Sequence, residues 1–268
     1  MDITARHLEI VRHPRFGYGE NMNPCIDCHT LMVRIAGEML ESEHAAFIIT
    51  GEVLGQRPMS QNRKSLDLVA EESGLKDLLL RPLSAKCLTP TLPETEGWVN
   101  REQLMGINGR SRKPQMEMAQ QLHIDDYPSP AGGCMLTEKG FSRRLRDLLS
   151  SKKDIERNDL ELLKLGRHFR VTPETKVVVG RNRQENMKIN RLSRHEDTLL
   201  NAMSVPGPTV LVSGELSEEA LNLGAAIATA YSDTPDRGIN EVRMVNPTET
   251  RVLTTEIRDK SDFRCYMI

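Results

Sequence analysis

Two cysteines, Cys25 and Cys28, share the run NPCIDC, and a third, Cys134, follows far downstream in PAGGC. Thiols at C-x-x-C spacing reach a common centre, and a third from a glycine-rich loop makes a three-cysteine site. Gly132 and Gly133 let that loop approach closely. If Cys25 and Cys28 open a helix, its free N–H groups and dipole favour their thiolates. Structural zinc takes four protein ligands, which requires His29, next to Cys28, to fold back. A four-iron cluster usually takes four thiolates, so three leave one iron open to an exogenous sulfide. Plainer alternatives stand beside these. A lone C-x-x-C is as often structural as metal-binding, and a lone Cys134 reads as a small buried hydrophobe. Cys87 and Cys265 have no partner at ligand spacing and read as structural.

The elements that must position these thiols follow from periodicity. After Pro24, apolar residues between Cys28 and Leu40 fall at helical spacing. Ala45–Thr50 (AAFIIT) and Leu78–Leu83 (LLLRPL) read as short buried strands. Ser65–Glu72 reads as a helix stopped by Gly74. Strands alternating with helices imply a parallel sheet. A proline-rich crossing, a helix over Arg112–Leu122, a loop over Tyr127–Cys134 and a basic amphipathic helix over Phe141–Leu149 follow. The expected organisation is an α/β domain over 1–150, a charged linker over 151–159, and a small α+β domain over 160–268.

In that second domain, HFRV, TKVVVGRN and PTVLVSG read as strands, and SEEALNLGAAIATAYS as a helix capped by Ser217. The chain has 268 residues, 38% hydrophobic and 28% charged, enough for packed cores. Its net charge of -2 excludes a global cationic field, so any RNA contact uses local patches. Candidates are Arg110, Arg112 and Lys113, then Arg143, Arg144 and Arg146. Arg167, His168, Arg170, Arg181, Asn182, Arg183 and Asn186 form a second basic, amide-rich set. Phe169 and Tyr231 are the candidates for base stacking. The blander readings are a solvated helix face for Arg143–Arg146 and a hairpin corner for Gly180–Asn182. The odd count of five cysteines argues against a disulfide framework. No apolar run of about 18 residues or apolar leader occurs, so the expected location is cytoplasmic, with no membrane partner.

The runs NPCIDCHTLM, FIITGEVLGQRPMSQ, LLLRPLSAK, GRSRKPQ and DYPSPAGGCMLT resemble the PP-loop tRNA thiolation proteins, relatives of the 4-thiouridine and 2-thiouridine synthases. The resemblance covers roughly residues 1 to 150. It implies a partial Rossmann-like fold, a tRNA substrate, a sulfur donor, and adenylation of a uridine carbonyl by ATP before sulfur replaces it. It also implies that Cys25, Cys28 and Cys134 hold a 4Fe-4S cluster, with zinc or a persulfide as variants. Thr50, Gly51 and Glu52 would lie at the carboxyl edge of the sheet, where α/β ligands bind. Gln56, Arg57, Ser60 and Gln61 would line the same crevice, and Arg81 would lie near nucleotide or RNA. The phosphate-cradling motif Ser-Gly-Gly-x-Asp-Ser does not occur in the chain. The sequence therefore reads either as a fold lacking its first strands, whose open sheet favours a second copy or a partner chain, or as a degenerate member of that family. VVVGRNRQEN (Val177–Asn186), PGPTVLV and the Ala-rich helix to Ser232 resemble the RNA-binding domain of the NFACT ribosome-associated proteins. A non-catalytic RNA-binding module is the alternative function.

Overall fold

The computed structural model describes residues 1–127, 134–235 and 238–268, and it divides into two compact units, Met1–Thr137 and Glu138–Ile268. Gly132, Gly133 and the rest of the expected loop between Tyr127 and Cys134 lie outside the described residues.

The first unit runs α1 (Thr4–Arg12), α2 (Cys25–Glu38), β1 (Ile48–Ile49), α3 (Arg63–Ser73), β2 (Leu79–Leu80), α4 (Leu92–Thr95) and α5 (Lys113–Gln121). The parallel sheet expected from the alternation is present but small. Ile48 and Ile49 pair with Leu79 and Leu80, and AAFIIT supplies only those two strand residues. Its core is Val33 of α2, Val69 and Ala70 of α3, and Ile48 and Leu79 of the strands. Each large apolar side chain so buried stabilises by about 1.5–3 kcal/mol. Local signals set the boundaries of α3. The Asn62 side chain accepts from the Ser65 N–H at 2.9 Å, and Gly74 takes φ +76° just past the end. Phe47 packs against Trp98 with ring centroids 6.3 Å apart.

The second unit runs α6 (Lys139–Ser151), α7 (Arg157–Leu162), β3 (Arg167–Arg170), β4 (Thr175–Val179), α8 (Arg183–Leu192), β5 (Thr198–Ala202), β6 (Val210–Gly214), α9 (Glu218–Ala230), β7 (Ile239–Val245) and β8 (Thr250–Glu256). The strands form one antiparallel sheet in the order β3-β4-β6-β5-β7-β8. β4 is buried along its whole length. Val177 and Val179 face α9, and Val178 shares a cluster with Ile189 of α8. That two-sided burial explains its unbroken β-branched run. Ser217 caps α9, its Oγ accepting from the Ala220 N–H at 3.1 Å.

Three expectations change. The basic helix α6 belongs to the second unit, because Asp147 on it bonds Arg170 and Lys176 of the sheet. The charged stretch 151–159 contains the start of α7, held by Lys152 on Asp159 at 3.0 Å. Gly180–Asn182 is no hairpin corner; it leads from β4 into α8, whose N-cap is Asn182.

Gly166 opens β3 with φ +64°, and a Cβ there would stand 2.4 Å from the Val179 carbonyl oxygen. Both the dihedral and the overlap oppose any side chain. Gly166→Ala should lower stability by about 2 kcal/mol or more, read as a fall in the thermal midpoint. An unchanged midpoint would mean that the β3 turn relaxes freely.

Candidate functional site

The first unit brings its three sequence-predicted thiols into one electrostatic neighbourhood. Cys25 is the first residue of α2 and Cys28 lies in its first turn. Asp27, between them, is buried and accepts the N–H groups of Arg15 and Phe16 at 3.0 and 3.2 Å. It thereby ties the preceding loop to the helix start. The segment carrying Cys134 docks on that loop, because the Met22 N–H donates to the Leu136 carbonyl at 3.1 Å. The Asn21 amide donates to the Thr137 carbonyl beside it. Charge on Cys134 is accordingly felt at both other thiols.

The thiolate stabilisation expected from the helix start is not realised. Burial pushes the Cys25 thiol up, with Cys134 adding to the shift and Arg57 opposing it. Burial pushes Cys28 up to about 11, reinforced by the charges of Cys134, Cys25 and Asp27. Desolvation and neighbouring negative charge outweigh the helix dipole here. Cys25 and Cys28 are half-buried and Cys134 is exposed; no cysteine is in a disulfide. Among the described residues no three Cys, His, Asp or Glu side chains stand in metal-ligating geometry. Cys87 donates to the Gly106 carbonyl at 3.4 Å, and Cys265 lies exposed in the other unit.

Behind the thiols lies a buried carboxylate that periodicity did not single out for this role. Glu52 Oε2 accepts from Arg81 Nε at 2.9 Å and from the Thr50 hydroxyl at 3.1 Å. His29 Nδ1 donates to Oε1 at 2.8 Å. An ionised carboxylate only accepts, so Nδ1 carries the proton, and in the neutral ring Nε2 is left as the nitrogen able to ligate. Burial opposes ionisation of Glu52, but the His29 bond and the Arg81 charge prevail and hold it down at about 2. Arg81 also donates to the Leu66 carbonyl at 3.0 Å, so its guanidinium is engaged within the fold. Of the other crevice candidates, Ser60 and Gln61 are buried, Gly51 and Arg57 are exposed, and the Gln56 amide bonds Gln115 at 2.7 Å.

The RNA candidates divide between the units. Arg110 is exposed, Arg112 holds the N-cap position of α5, and Lys113 stands 3.7 Å from Glu117. In the second unit, burial lowers the pKa of Arg144, and the positive charges of Arg181 and Arg143 lower it further, so these three guanidiniums share one neighbourhood. Arg143 is exposed. Arg144 is half-buried and donates to the Gly140 and Leu163 carbonyls at 3.0 and 2.7 Å. Arg181 grips Glu185, and the Asn182 side chain caps α8. The Asn186 Oδ1 is buried beside Gly180. Phe169 is fully buried against the α9 core and is not available to stack on a base. Tyr231 carries Arg167 and Lys260 over its ring at 4.9 and 5.5 Å.

Residues 166–267 match the family model for the NFACT protein RNA binding domain. The second unit contains an NFACT-type RNA-binding domain. Its match begins at Gly166 and takes in the strands β3 to β8. No curated protein matches the chain. A solved structure, the C-terminal of the fibronectin/fibrinogen-binding protein from Streptococcus suis, is 13% identical, covers 98% of this chain and 94% of that one, and has a TM-score of 0.34. A score that low carries no argument. No helix among the described residues is long and apolar enough to cross a membrane.

Two measurements follow from this geometry. Glu52→Gln leaves Arg81 buried opposite a neutral amide and should cost about 3 kcal/mol or more, seen in denaturant titration. The ionised Glu52 stabilises fully above its ordinary value of 4.5 and loses that effect as pH falls toward about 2, so the cost should shrink in acid. A constant difference across that window would disprove the assignment. In metal-free protein, Cys28 at pH 8 should alkylate more slowly than an ordinary thiol, on the order of a hundredfold if thiolate fraction sets the rate. Peptide mapping after timed iodoacetamide treatment reads this, and rapid Cys28 labelling would show a thiolate.

Proposed function

We propose that this protein is an RNA-binding module that grips the RNA backbone through its second unit. The observation that carries the reading is the NFACT-type domain, with Arg143, Arg144 and Arg181 gathered at its edge. Arg143 is the cation of this group free to meet a phosphate first, since Arg144 and Arg181 are engaged within the fold. Asn182 and Asn186 lie at the start of α8 close to Arg181; the Asn182 oxygen caps the helix and Asn186 Oδ1 is buried, which leaves their amide N–H groups to meet unpaired RNA. Arg110, Arg112 and Lys113 would add a separate backbone contact from the first unit.

A finer reading is favoured by one further observation, the electrostatic nearness of Cys25, Cys28 and Cys134. In it the RNA is a tRNA and the first unit serves sulfur transfer to a uridine in the cytoplasm. The three thiols match in donor type the ligands of a 4Fe-4S cluster, or of zinc together with His29. A cluster with an open iron would supply bound sulfide as the nucleophile. This chain's residues would do the rest. Glu52 fixes His29 and, through it, the start of α2. Arg57 places positive charge beside Cys25. Burial keeps Cys25 and Cys28 protonated until a metal displaces their protons. ATP would activate the uridine, as the family resemblance implies, with Thr50, Gly51, Gln56 and Ser60 near the crevice. A sulfur donor, and a partner chain or second copy along the short parallel sheet, would complete the assembly.

Filter binding of a transcribed tRNA tests the leading reading. Arg143→Ala should weaken binding and reduce the slope of log affinity against log salt by about one. An unchanged slope would remove Arg143 from the interface, and no binding by the intact chain would remove the function. Anaerobic purification with iron, sulfide and zinc assays tests the cysteine reading, and protein holding none of these after reconstitution would defeat it.

A further inference from the structure

Two cations of the second unit are held without a counter-charge. Arg170, Arg181 and Arg194 each pair with a carboxylate, on Asp147, Glu185 and Asp159. Arg167 and Lys260 instead stand over the neutral ring of Tyr231, at 4.9 and 5.5 Å from its centroid. Neither has a carboxylate within salt-bridge distance among the described residues. Asp259, beside Lys260 in the chain, turns an oxygen onto the Ser261 N–H at 2.7 Å. A ring quadrupole attracts a cation without cancelling its charge. Lys260 is exposed. The Arg167 guanidinium has no hydrogen-bond acceptor among the described residues, and none of its nitrogens is closed off from solvent.

Their place in the fold gives these charges a use. Arg167 precedes Phe169 by two residues on β3, so it points to the face that α9 covers. Tyr231 directly follows α9. Arg143 and Arg144 belong to α6, which bonds Arg170 and Lys176 on the opposite face. The two groups of cations meet across the start of β3. Arg144 donates to the Leu163 carbonyl at 2.7 Å. The Gly166 N–H donates at 3.2 Å to the same Glu185 carboxylate that Arg181 grips, and Arg167 is the next residue.

Resting on the RNA-binding reading, we propose that Arg167 and Lys260, oriented by Tyr231, bind a phosphodiester of the RNA strand. The strand turns around the start of β3, held by Arg143 and Arg181 on one face and by this pair on the other. The phosphate brings the counter-charge that the pair lacks among the described residues. Arg167 presents a planar set of N–H groups to its oxygens, and Lys260 adds a point charge. Tyr231 acts as a positioning residue and not as a platform for a base. Its ring is already engaged by the two cations and by Phe169, with ring centroids 5.9 Å apart.

Filter binding of a transcribed tRNA by the full chain over a range of salt tests this. Arg167→Gln and Lys260→Gln should each reduce the slope of log affinity against log salt by about one. Arg243→Gln removes an exposed cation from β7, which β4, β6 and β5 separate from β3, and should leave the slope unchanged. Tyr231→Leu should weaken binding about threefold, and Tyr231→Phe, which keeps the ring, should restore it. Circular dichroism and the thermal midpoint establish that each variant is folded. If Arg143→Ala lowers the slope while Arg167→Gln and Lys260→Gln do not, the site is overturned and RNA binding stands. An equal loss of slope in Arg243→Gln overturns it as well, because net charge alone would then explain the effect. Folded Tyr231→Leu that binds like the intact chain overturns the role of the ring. Failure of the intact chain to bind the tRNA overturns both readings together.

Discussion

A single buried carboxylate organises the first unit. Glu52 follows β1, receives His29 from α2, and receives Arg81 from the chain just past β2. The parallel sheet is only two residues deep, so its backbone ladder alone gives little rigidity. The carboxylate supplies what the ladder lacks, joining the helix that carries Cys25 and Cys28 to the ends of both strands. Its low pKa expresses that role, since the His29 hydrogen bond and the Arg81 charge make the charged form preferred despite burial.

The second unit answers the same problem differently. Its six strands bury apolar side chains on both faces, with α9 over one and α8 over the other. At the α6 and α7 end charged groups enter the packing, where Asp147 joins Arg170 and Lys176 and where Asp159 joins Lys152 and Arg194. This paired layer keeps charged side chains below the surface by giving each one a partner of opposite sign. It also leaves room beneath the helices, which a purely apolar layer would have filled.

Much of this was legible in the sequence where one residue type has one strong local meaning. Gly74 and Ser217 marked helix ends, the Val177–Val179 run marked a buried strand, and C-x-x-C marked the start of α2. What escaped depends on three-dimensional neighbours. Nothing near Glu52 in the chain shows that Arg81 will reach it, and nothing in FSRRLRDLL shows that Asp147 will bond the sheet. The helix-start rule for thiolates failed at Cys28 because burial and adjacent negative charge are tertiary facts. Phe169 looked like a stacking platform because its neighbours are basic, yet strand alternation turns it into the core.

The scarcity of aromatic side chains has a practical corollary. The single tryptophan, Trp98, stands half-exposed against Phe47 in the first unit, and the second unit has none. Intrinsic indole emission therefore follows the first unit alone, while the far-ultraviolet signal comes from helices in both units. One melting curve thus reports a single half of the polypeptide and the other reports both, and any gap between them shows that the halves unfold separately.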